Sequence, residues 1–74
     1  MLMSDLIKGE SAVVKFIGLN AKIRKRLYDI GFTEGVEITV AGFAPAGDPM
    51  RIKIRDFYLA LRLSETKKIE VEKL

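Results

Sequence analysis

Apolar residues recur along this chain with two periods, and one period gives way to the other within Arg26–Ile38. Ahead of the change, Leu19, Ile23, Leu27 and Ile30 fall three and four residues apart and share one face of a helix. Beyond it, Val36, Ile38 and Val40 alternate with Glu37 and Thr39, which is the spacing of a strand. Gly31 stands where the helix needs a left-handed closing residue, and Gly35 where a second turn sends the chain into the strand. Asn20 is a good N-cap, because its side-chain oxygen can accept from a free N–H of the first turn. The pattern predicts a helix from about Ala21 to Ile30.

Leu6 to Glu10 reads as an opening turn, and Ser11 to Ile17 as a first strand with Ala12, Val14 and Phe16 on one face. Gly18 breaks that strand. A second strand runs from about Val36 to Ala44. The next five residues hold Pro45, Gly47 and Pro49, which make a rigid turn. Met50 to Arg55 then alternates cleanly, and Tyr58 to Leu63 continues the alternation. A two-residue turn at Asp56-Phe57 sets Ile54 opposite Leu59, Ile52 opposite Leu61 and Met50 opposite Leu63, so that all three pairs are apolar. On the other face this register sets Arg55 opposite Tyr58, Lys53 opposite Ala60 and Arg51 opposite Arg62, with no acid between them. Phe57 is a poor residue for positive φ, so a longer turn stays open. Ser64 to Lys67 is a short turn with Ser64 as a cap, and Ile69 and Val71 alternate with Glu70 and Glu72 in a last strand. Five short strands and one helix describe a mainly β chain, one domain over residues 1–74, whose sheet is strongly bent or closed to remove exposed edges.

The absence of cysteine and histidine narrows the chemistry. Disulfides are excluded, the usual zinc and iron ligands are missing, and so are the common general base and thiol nucleophile. We expect no enzyme, no metal site and no cofactor. Gly42 to Gly47 has the glycine spacing of a phosphate-binding loop, but Asp48 stands where lysine is needed and Pro49 lacks an N–H. No apolar run approaches the ~18 residues of a membrane span, and the first residues lack a basic and apolar leader, so a cytoplasmic protein is expected. The net charge of +3 is mild. Cations nevertheless gather in two places: Arg51, Lys53, Arg55 and Arg62 with Tyr58 on the hairpin, and Lys22 and Arg24 on the helix. A solvated helix face and a protected sheet edge account for such charge. Both sites are also candidates for binding a partner.

Three blocks resemble the FeoA family of small cytosolic proteins from ferrous iron uptake systems. The first is Arg26 to Ile38, with Asp29, an apolar residue, Gly31, three residues, Gly35 and a strand. The second is Ala44 to Pro49 with its following strand, and the third is Leu59-Ala60-Leu61-Arg62; Asp5-Leu6 with Gly9-Glu10 also fits. Asp56 departs from the family, which more often has glycine in that turn. The resemblance implies a small SH3-like β-barrel of about five strands with one short α-helix. It implies a non-catalytic accessory or regulatory role beside FeoB, a membrane iron permease with a cytosolic GTPase domain, and contact with the membrane only through that partner. The family's labels sometimes include transition-metal binding. Self-association stays open, and a small nucleic-acid-binding barrel is the alternative function.

Overall fold

The computed structural model describes Met1–Leu74. Its elements are a 3-10 turn at Met3–Asp5, β1 at Ser11–Ile17, α1 at Ala21–Asp29, β2 at Glu37–Phe43, β3 at Met50–Ile54, β4 at Phe57–Leu61, α2 at Leu63–Thr66 and β5 at Ile69–Lys73. The five strands form one antiparallel sheet in the order β4-β3-β2-β1-β5. The first and last strands of the sequence are therefore neighbours. Two bulges bend the sheet. Lys15 is the extra residue of β1 against β5, and Ala41 the extra residue of β2 against β3.

One face of every strand enters a single core. Met50, Ile52 and Ile54 are fully buried from β3, and Ile38, Val40, Ala12, Val14, Ile69 and Val71 join them. Leu27 and Phe32 plug the core from the helix side. Phe16 corrects the alternation read from the sequence. The bulge at Lys15 reverses the pleat, so Phe16 is 56% exposed and Ile17 is buried instead.

The helix begins as its sequence suggests, with Asn20 Oδ1 accepting the Ile23 N–H at 2.9 Å. It ends one residue sooner than predicted, at Asp29. Gly31 takes φ 96°. That conformation lets the Gly31 N–H bond to the Tyr28 carbonyl and the Phe32 N–H to the Leu27 carbonyl, at 3.0 and 2.9 Å. This is a Schellman closure, and its customary apolar contact is made by buried Phe32 and Leu27. Ile30 is the C-cap within this closure, its N–H on the Leu27 carbonyl at 3.2 Å, and its side chain is exposed rather than on the core face read from the sequence.

The hairpin register differs from the one predicted. The turn is Arg55-Asp56, and the pairs are Ile54 with Phe57, Lys53 with Tyr58, Ile52 with Leu59, Arg51 with Ala60 and Met50 with Leu61. The shift is two residues, so each side chain keeps its face while its partner changes. Arg55 takes the positive φ, 51°, that the tight turn requires. Phe57 is thereby freed to pack against the core. Leu63 leaves the sheet and opens α2.

Candidate functional site

The outer face of β3 and β4 sets cations beside an aromatic ring. Met50, Ile52 and Ile54 point inward, so Arg51 and Lys53 project to solvent. Tyr58 and Ala60 project from β4 on the same side. The Arg51 guanidinium lies over the Tyr58 ring, 5.3 Å from its centroid. A cation held on an aromatic face in this way loses little further freedom when it meets an anion. Arg55 stands at the hairpin tip and is exposed.

Arg62 is not opposite Arg51, because Ala60 takes that place. Instead Arg62 follows β4 directly and caps α2, where its N–H donates to Glu65 Oε1 at 3.0 Å. Two arginines therefore do not confront each other across the hairpin. No acid stands among the outward residues of the two hairpin strands, but one lies at the border, on β2. Lys53 and Arg55 line an open depression of about 360 Å³ together with Glu37 and Thr39 of β2. Thr39 pairs with Lys53 and shares a 2.7 Å hydrogen bond with the Ser11 hydroxyl. Alternation alone shows that Glu37 points outward. Its place beside Arg55 depends on which strand lies next to β3, a fact separated by a loop and absent from local pattern.

Lys22 and Arg24 belong to neither the stack nor the depression. Lys22 is exposed, whereas Arg24 is half-buried and donates from Nη1 to the Leu19 carbonyl at 3.1 Å. That bond ties Arg24 to the start of the helix. Of the turn residues, Gly31, Gly35 and Gly47 all take positive φ, at 96°, 92° and 88°. In the loop holding Pro45, Gly47 and Pro49, the Ala44 N–H bonds to the Pro49 carbonyl at 3.0 Å. Asp48 Oδ1 accepts the Leu63 N–H at 3.2 Å, which fastens this loop to α2. No three acidic side chains converge where a metal could be held.

The FeoA domain model matches residues 1–73. The Fe(2+) transport protein A/Fe(2+) transporter FeoB fusion protein of Porphyromonas gingivalis is 39% identical over 72 residues, which cover 97% of this chain and 8% of that protein. The chain thus spans only a small fraction of that relative's length. The FeoA protein of Chlorobium tepidum superimposes with a TM-score of 0.95 at 34% identity, over 100% of this chain and 70% of that one. Stenotrophomonas maltophilia FeoA, solved in complex with zinc and described as a procaryotic SH3 domain protein, gives a TM-score of 0.79 at 34% identity, over 97% of this chain and 89% of that one. With sequence and backbone agreeing along almost the whole length, the chain belongs to the FeoA family and has its SH3-like fold.

Proposed function

We propose that this chain is a non-catalytic accessory of ferrous iron transport, acting as one domain, and that it binds the cytosolic GTPase region of a FeoB-type permease through the outer face of β3 and β4. The observation that carries the reading is the fusion relative, in which a 39% identical segment is part of one chain named for both FeoA and FeoB. Fusion holds two modules at high effective concentration, which favours modules that work in contact. No helix here is long and apolar enough to cross a membrane; in this reading membrane association runs through the partner. The cationic face supports an acidic protein partner over a nucleic acid. Its single aromatic platform, Tyr58, is already covered by Arg51, and Glu37 borders the depression.

The test is affinity for the isolated GTPase region at low and moderate salt, with folding checked by circular dichroism. Arg51→Glu with Lys53→Glu should weaken binding at least about tenfold, since reversal turns attraction into repulsion. Reversal of Lys22 should change it little. Wild-type affinity in the folded Arg51/Lys53 variant excludes this face and moves attention to the helix. Steeply salt-dependent binding to single-stranded nucleic acid, with none to the GTPase region, favours the alternative.

A further inference from the structure

The sheet has two edges, and only one of them is finished. At β5 the chain start lies alongside as an extra strand fragment. The Met1 amine donates to the Val71 carbonyl at 3.2 Å, the Val71 N–H donates to the Met1 carbonyl at 2.8 Å, and Leu2 bridges to Glu70. At β4 no backbone group outside β3 hydrogen-bonds to residues 57–61. The direction of the free groups follows from the turn. With only Arg55 and Asp56 between them, Ile54 and Phe57 must be a pair that exchanges both backbone hydrogen bonds. Pairs alternate in kind along an antiparallel ladder. Lys53/Tyr58 and Arg51/Ala60 are therefore the unbonded pairs, and Tyr58 and Ala60 aim their N–H and C=O groups away from β3, at the outer edge.

Proteins usually guard such an edge with a charge, a proline or a bulge on the edge strand itself. Phe57-Tyr58-Leu59-Ala60-Leu61 has none of these. The cations lie one strand in, on β3, where they cannot block pairing but do set the charge above it. Arg51 leans over β4 onto Tyr58, Lys53 pairs with Tyr58, and Arg62 follows the strand. On the inner face Phe57 and Leu59 are half-buried and Leu61 is buried, so that side continues the core.

We propose that β4 accepts an extended acidic segment of the partner protein as a sixth, added strand. The segment alternates apolar residues, which extend the core past Phe57 and Leu59, with acids, which meet Arg51 and Lys53. The protein's own far edge shows what such a strand looks like: β5 buries Ile69 and Val71 and exposes Glu70 and Glu72. A second copy of the chain is the poorer occupant, because pairing β4 with β4 brings two cationic faces together with no acid between them. The identity of the partner rests on the function proposed above; the pairing does not.

The test uses the isotope-labelled chain and a synthetic peptide of about eight residues alternating valine and glutamate. Binding that weakens with salt, with the Tyr58 and Ala60 amides newly protected from solvent exchange, is the expected result. A peptide N-methylated along the edge that meets β4 should not bind. Ala60→Pro, which removes an outward N–H at an edge position that tolerates proline, should weaken binding about tenfold. No binding, equal binding of the N-methylated peptide, or binding that leaves Tyr58 and Ala60 unprotected overturns the proposal. Protection at β4 that rises with protein concentration alone overturns the choice of occupant in favour of a second copy. If the peptide pairs and the GTPase region does not bind, the permease reading fails and the open edge stands. If the GTPase region binds with Tyr58 and Ala60 unprotected, the reverse holds.

Discussion

Gly18 and Gly31 require glycine for different reasons, and substitution separates them. At Gly31 φ is 96° and nothing lies within 4 Å of the position a Cβ would occupy, so any penalty is torsional. Gly31→Val should lower stability by about 1–3 kcal/mol in urea denaturation. At Gly18 a Cβ would lie 2.8 Å from the Lys68 carbonyl oxygen and 3.2 Å from the Phe16 ring. Gly18→Ala must therefore push away the backbone oxygen that its own N–H bonds at 2.7 Å. Wild-type stability in both variants contradicts both assignments. Two titrating groups carry opposite pH signatures. The Tyr28 hydroxyl donates to both Glu34 carboxylate oxygens at 2.9 Å, and chiefly this bond raises its pKa above the ordinary 10.0. A raised folded value means a contribution fully present below pH 10.0 and lost as pH climbs through the raised value. Glu34→Gln should bring Tyr28 ionisation to lower pH, as read by ring-carbon NMR. Glu10 runs the other way: the Lys73 bond first, then the Ile7 N–H, hold its pKa below 4.5. Its contribution is present above 4.5 and disappears as pH falls through the lowered value, so Glu10→Gln should flatten the acid side of the thermal-stability profile.

Among the elements, the β3–β4 hairpin separates what local pattern can convey from what it cannot. Alternation in Met50 to Ile54 shows which side chains face the core, and the structure buries those residues. Alternation says nothing about a slip of two residues, since every apolar residue still meets an apolar partner. The choice falls to the turn, and Arg55 at φ 51° decides it. Arg55→Gly follows as a discriminating variant. In the observed turn, glycine relieves a left-handed arginine, and stability should hold or rise by about 0.5–1 kcal/mol. In the register read from sequence, Arg55 is a strand residue and glycine should destabilise by a similar amount. Loss of thermal stability in this variant would argue for that slipped register. The bulges at Lys15 and Ala41 escaped pattern reading for a related reason: an extra residue is defined only against a partner strand. The helix, by contrast, was legible at both ends, because Asn20 and Gly31 act within a few residues of themselves. For the candidate site, the charged residues of the hairpin could be read from sequence, but Glu37 beside Arg55 and Arg51 over Tyr58 required the register of three strands.

Taken as a whole molecule, the protein gathers no set of the usual ferrous iron ligands in one place. Histidine and cysteine are absent, and no group of three acids forms. Anaerobic calorimetry of the isolated chain should show no stoichiometric submicromolar iron site; one that appears would contradict a purely protein-binding role. The sheet order has a further consequence in time. β1 pairs with β5, and Leu74 bonds back to Ser11, so the earliest strand is completed by the latest segment. Contacts of such separation in sequence should make refolding a matter of milliseconds to seconds, measurable by stopped flow. On the ribosome, β1 waits with one side unpaired while α1, β2, β3 and β4 are made, although the local hairpin can form at once. A nascent chain stalled before Ile69 should therefore stay sensitive to protease along Ser11–Ile17, and emergence of β5 is the event that commits this sheet to its fold.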